Sequence, residues 1–169
     1  MELKNIKPFW NEEFKHLKYH KETFNDEYAI GEWRSQGYQN DIDFFSGEMS
    51  AHGDVLPSWN DKILEWVEEE FQLKDIGCCY YRMKTNIIIP NHIDAYNVYR
   101  EKFNCKTEDV YKILVFLEDW KSGHYFEYEG KPFIEWNAGD YMSWVGNTYH
   151  FAANIGIEDR YTLQITGRK

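Results

Sequence analysis

His92 is followed two residues later by Asp94. In an extended strand, residues i and i+2 point to the same face, so an imidazole and a carboxylate at this spacing can share one cation. The spacing alone is weak. Six histidines on ordinary composition give about a one-in-three chance of some His-x-Asp, and a surface histidine beside a surface aspartate explains it as well. His150 lies far downstream in GDYMSWVGNTYHFAANIG, followed by Arg160 and then Thr162. A guanidinium can grip a carboxylate with both arms of its planar fork. Glu158 and Asp159 directly before Arg160 equally suit a charged turn at a strand end, and Thr162 has ordinary strand propensity. Gln164 shares strand parity with both and reads either as barrel packing or as a polar site contact. The remaining histidines carry less. His16 and His20 have i, i+4 spacing but lie in a lysine-rich, solvated stretch, His52 in SAHGDV has no evident partner, and His124 reads as a surface or substrate-contact residue.

The elements that must position these residues are short. Residues 76 to 169 break into strand-like runs: Gly77–Met83, Asn86–His92, 110–117 (VYKILVFL), 124–128 and 132–136 around the turn Glu129-Gly130-Lys131, then 140–146, 148–153 and 160–166. Such a series predicts a mostly β fold, a sandwich or barrel of the jelly-roll kind. Ahead of it, residues 58–71 predict a helix, with Ser58 as its cap and Trp59, Ile63, Trp66, Val67 and Phe71 along one face. Trp10, Phe14 and Leu17 predict a short helix over 10–18, while Tyr28–Tyr38 and Ile42–Met49 read as short strands or loops. Residues 95–109 read as a polar loop long enough to be functional. The expected organisation is one domain over 1–169, with a helical and irregular covering segment over 1–75 and a jelly-roll core over 76–169.

Around His150, Gly139 lies eleven residues before and Asn154 four after, a pattern that resembles the second metal-ligand motif of the cupin superfamily, with Val145 where proline is usual. His92-x-Asp94, distant His150 and Arg160-x-Thr162 together resemble the Fe(II)/2-oxoglutarate-dependent dioxygenases. YKILVFLEDWKSGHYFEY is similar to the middle strands of prolyl-hydroxylase-like members, and YRMKTNIIIPNHID to the aspartyl/asparaginyl β-hydroxylase branch. The resemblance covers residues 78–168. It implies a double-stranded β-helix, a cupin-like jelly roll with N-terminal helices packed outside.

For the site, the resemblance implies that His92, Asp94 and His150 are both the catalytic and the metal-binding residues. Two imidazoles and one carboxylate take one face of an octahedral Fe(II) and leave three positions open. The cosubstrate 2-oxoglutarate takes two and O2 the third, with ascorbate as an auxiliary reductant. Oxidative decarboxylation to succinate and CO2 then drives hydroxylation of a small molecule or peptide side chain. Arg160 and Thr162 would hold the distal carboxylate of 2-oxoglutarate. Tyr81, in the branch's position for a hydroxyl-bearing ligand, would join them, unless it is a core tyrosine or Tyr80 takes that part. Lys112 stands roughly where that branch has a basic cosubstrate contact, but reads more simply as a strand lysine reaching solvent. Tyr96, Tyr99, Arg100 and Lys102 could line the mouth, and Trp120, Trp136 and Trp144 its core or rim. Two alternatives stand beside this reading. One is an AlkB-like oxidative demethylase of nucleic-acid bases, whose second arginine would fall where Thr166 stands. The other is a cupin-type protein that is non-catalytic or uses another metal.

Composition narrows the partners. The 169 residues carry a net charge of −10, which argues against nucleic acid and against an anionic membrane surface. Aromatic residues make up 18%, which excludes global disorder. Three cysteines, two of them adjacent, are not a disulfide framework and suit a reducing compartment. The opening MELKNIKPFW has no apolar leader core and no run is long enough to span a bilayer, so a cytoplasmic protein is expected.

Overall fold

Alternation of inward and outward residues builds two facing sheets in the computed structural model, which describes residues 2–22, 27–50 and 53–169. The smaller sheet holds β5 (Ile87–His92), β7 (His124–Tyr128), β8 (Lys131–Phe133) and β10 (His150–Asn154), in the order β5-β10-β7-β8. In β7 the period is plain: His124, Phe126 and Tyr128 turn inward while Tyr125 and Glu127 stay half-buried. The larger sheet is centred on β4 (Lys74–Met83), β6 (Val110–Phe116), β9 (Asp140–Val145) and β11 (Arg160–Arg168), ordered β9-β6-β11-β4. Every pairing in both sheets is antiparallel. This is the mainly β, cupin-type jelly roll that the sequence predicts.

The larger sheet is apolar on both faces, and each face has its own core. Between the sheets, Tyr81, Met83, Leu114, Phe116, Met142 and Trp144 meet Ile89, Phe126, Phe133 and Ala152. On the outer face, Tyr80, Ile113, Val115, Tyr161, Leu163 and Ile165 are covered by α2 (Asn60–Phe71) through Ile63 and Val67, with Trp59 and Phe14 beside it. The helical period predicted for this segment is therefore the face that docks. Ser58 does not cap it: its N–H and hydroxyl donate to the Glu13 carboxylate instead, at 2.6 and 2.8 Å.

The N-terminal third adds strands to the sheet besides the covering layer. β1 (Lys4–Asn5) pairs with β9, while β2 (Tyr19–Lys21) pairs with β3 (Glu48–Ser50) and β3 with β4, so these strands extend the larger sheet at both edges. The expected helix near 10–18 is a 3-10 turn over Glu12–His16. Residues read as strands or loops form α1 (Glu27–Ser35) and a 3-10 turn, Ile42–Phe45. Trp33 is buried there against Phe45, so tertiary burial rather than an evident stripe fixes the helix. The expected loop 95–109 contains α3 (Asn97–Phe103) and a 3-10 turn, Thr107–Asp109. Cys78, Cys79 and Cys105 are free thiols, and among the described residues no helix is long and apolar enough to cross a membrane.

Candidate metal centre

β5 and β10 are neighbours, and their register sets His92 directly opposite His150. The register shifts between His150 and Ala152, a local irregularity of the kind that re-aims a side chain. The two rings approach to 4.2 Å between centroids. Asp94, two residues past the end of β5, turns back so that Oδ1 lies 3.7 Å from His92 Nε2 and 3.8 Å from His150 Nε2. Each imidazole is held from behind. His92 Nδ1 lies 2.8 Å from the Pro90 carbonyl and His150 Nδ1 3.0 Å from the Thr148 carbonyl. A carbonyl only accepts, so both Nδ1 atoms carry the proton and both Nε2 lone pairs face Asp94. His92, Asp94 and His150 thus form a convergent donor set able to hold one metal ion.

The charge states suit this. Burial, aided by the neighbouring His150, pushes His92 down to about 4, so it is neutral and free to donate at neutral pH. Burial opposes ionisation of Asp94, but Lys112 and the two imidazoles outweigh it and hold the carboxyl below its ordinary range. Lys112 does not reach solvent as expected. It is buried on β6, with Nζ 3.3 Å from Asp94 Oδ2, leaving Oδ1 to the two histidines.

One pocket joins this cluster to a second group of residues. It is lined by His92, Asp94, His150 and Lys112 and also by Arg160, Thr162, Gln164 and Tyr81. Arg160 is 5% exposed, and burial lowers it to about 10, which leaves it cationic. Its surroundings are apolar: the guanidinium stands 6.0, 5.8 and 5.7 Å from the ring centres of Phe116, Phe126 and Trp136. One arm donates to the Tyr125 carbonyl at 3.1 Å, while Nε is buried with no hydrogen-bond partner among the described residues. Tyr81 Oη is likewise buried and has no partner among the described residues. Tyr80 points to the other face and donates to Asn60 Oδ1 at 2.9 Å, so strand parity separates the two candidates. A buried cation without a carboxylate and a buried hydroxyl without an acceptor, among the described residues, fit an anionic ligand. The two ends of the pocket therefore suit a metal ion and a carboxylate.

The other sequence candidates fall elsewhere. His124 is buried rather than at the surface, with Nε2 3.0 Å from the Glu158 carbonyl. His20 Nε2 lies 2.9 Å from Asp54 Oδ2, away from His16, and His52 lies outside the described residues. Tyr99 donates to the Asp75 carbonyl at 2.9 Å, and neither it nor Arg100 nor Lys102 lines the pocket. Trp136 and Trp144 are core, the latter also on the pocket wall and packed 5.4 Å from His150. Sequence reasoning missed Glu22, which lines the pocket although YHKET carries no pattern that marks it.

No protein-family model matches the chain, and no curated protein matches it. Solved structures do. A Pseudomonas putida prolyl-4-hydroxylase aligns over 94% of this chain and 96% of its own, with a TM-score of 0.56 at 12% identity. A predicted oxalate decarboxylase from Thermotoga maritima aligns over 92% and 96%, with a TM-score of 0.46 at 14% identity. A cupin protein from Bacteroides fragilis aligns over 60% and 73%, with a TM-score of 0.39 at 12% identity. At such identities the likeness is one of fold.

Proposed function

We propose that the chain is an Fe(II)- and 2-oxoglutarate-dependent oxygenase that hydroxylates a small molecule or a peptide side chain. One observation carries the reading: a two-histidine, one-carboxylate cluster and a buried arginine with no carboxylate partner among the described residues share a single pocket. His92, Asp94 and His150 would hold the metal by one face, which suits Fe(II) in oxygenases. When bound, iron and 2-oxoglutarate supply the oxidative chemistry that ends in succinate, CO2 and a hydroxylated product.

The chain's own residues do the rest. Arg160 is fixed by the Tyr125 carbonyl and by three aromatic rings before any ligand arrives, so little side-chain entropy is lost on binding a carboxylate. Tyr81 Oη and the Thr162 hydroxyl add donors on adjacent strands, since Thr162 pairs with Tyr81 across β11 and β4. The aromatic walls exclude water, which strengthens these contacts. Lys112 keeps the Asp94 carboxylate ionised and turned toward the histidines. The structure of the prolyl-4-hydroxylase supports the reading through its fold alone.

The test is calorimetric. The protein should bind Mn(II), and then 2-oxoglutarate only when Mn(II) is present. His92→Ala should abolish metal binding, while Arg160→Ala should keep the metal and weaken 2-oxoglutarate at least tenfold. With Fe(II) and ascorbate, the unmutated chain should release succinate slowly without added substrate. Failure to bind 2-oxoglutarate in the presence of metal sinks the proposal.

A further inference from the structure

Glu22 is a carboxylate in an unusual place. It lines the pocket, and Oε2 is buried with no hydrogen-bond partner among the described residues. Its position is fixed by the backbone: the Glu22 N–H donates to the Gly47 carbonyl at 3.0 Å, continuing the β2–β3 ladder by one residue. Gly47 is itself a site of close approach. A Cβ there would lie 2.2 Å from Tyr81 Cε1, so only glycine lets the Tyr81 ring press against β3. Glu22 and Tyr81 therefore flank Gly47 on one wall, each ending in a buried polar atom without a partner among the described residues. Burial pushes the Glu22 carboxyl up to about 7, with Asp94 adding to the rise and Lys112 opposing it. Lys112 is already engaged with Asp94.

Burial disfavours the charged form, so the empty pocket leaves Glu22 partly protonated, and a cationic group docked on it would hold it ionised. The Arg160 end has a different need, for an anion. We infer that Glu22 is the substrate-recognition carboxylate of this pocket, taking a substrate whose ammonium or guanidinium group docks on it beside the metal. The inference deepens the oxygenase reading, on which it rests. Its chemistry agrees with the charge of the whole chain, since −10 concentrates small cations near the protein.

The probes are two matched pairs: n-butylguanidinium against n-butylurea, and n-butylammonium against n-butanol. Each is titrated by nuclear magnetic resonance into protein loaded with Mn(II)-free Zn(II) and 2-oxoglutarate, zinc being diamagnetic. The cation of each pair should bind at least tenfold more tightly than its neutral mate. Glu22→Gln, which removes no packing volume, should erase the preference, and Glu22→Asp should retain its direction. Equal binding within both pairs, no binding by either cation, or a preference that survives Glu22→Gln overturns the inference. If the unmutated protein fails to bind 2-oxoglutarate, the oxygenase reading falls. The same pairs titrated into the metal-loaded protein alone then still decide whether Glu22 selects cations.

Discussion

The pocket is built on a charge contact that residue-by-residue reading of the chain discounts. Lys112 sits in the strand VYKILVFL, where a lone lysine among apolar residues reads as an outward snorkel. Its partner is eighteen positions away in sequence, and only the approach of β6 to the turn after β5 brings Nζ to 3.3 Å from Asp94. Breaking a buried ion pair strands the surviving charge, at about 3–5 kcal/mol when fully buried. Asp94 is about a quarter exposed, so solvent screening lowers this to roughly 1–3 kcal/mol. Metal-free Lys112→Met should therefore unfold at lower urea than the parent, and the double variant with Asp94→Asn should recover most of the difference. The sign with pH follows from Asp94, whose folded value lies below its unfolded one. The pair's contribution is present above about pH 4 and is lost on acidification through the folded value. A divalent ion can replace the missing ammonium, so added Mn(II) should stabilise Lys112→Met more than the parent. Equal urea midpoints for parent and variant at pH 7 would show that the contact contributes nothing.

At the scale of elements, what was legible is what obeys a period. The strands from β4 to β11 were readable because alternation and turn residues bound them, and α2 because Ile63, Trp66 and Val67 recur on one helical face. His92, Asp94 and His150 were readable as candidates through the family resemblance, because the His-x-Asp spacing alone is weak. α1, α3, β2 and β3 were not, because they are short and are stabilised by contacts made far away, such as Trp33 against Phe45 and His92. Glu22 shares that fate, since it reaches the pocket only because β2 adds to the sheet edge. The two-faced larger sheet yields a further expectation. Ile63 is fully buried between α2 and the face that bears Tyr80, whereas the metal cluster lies beyond the opposite face with Tyr81. Ile63→Ala should cost about 2–5 kcal/mol in chemical denaturation. The Mn(II) affinity of the folded fraction should change less than threefold, because no side chain of the cluster touches α2. A larger change would show that the two cores are coupled through the sheet.

The whole molecule carries −10, yet the proposed ligands of its pocket have opposite signs: a divalent cation and a dianion. Long-range forces act on the first approach, while buried groups act after entry. Between about 10 and 150 mM salt the screening length shrinks from roughly 30 to 8 Å, so the field of the whole surface is largely removed while contacts inside the pocket are not. If 2-oxoglutarate is the ligand of Arg160, an acidic exterior would repel it until it reaches that residue, and would attract the metal ion throughout. Association of 2-oxoglutarate with the metal-loaded protein should therefore quicken as salt rises, with dissociation much less affected. Association of the metal with the empty protein should slow over the same range. Trp136 and Trp144 beside the pocket make both steps readable by stopped-flow fluorescence. The metal limb serves as the internal control, since specific ion effects on folding would move both rates together. If 2-oxoglutarate association slows with salt as the metal's does, a cationic rim must dominate the surface field. The net charge would then misdescribe the mouth of the pocket.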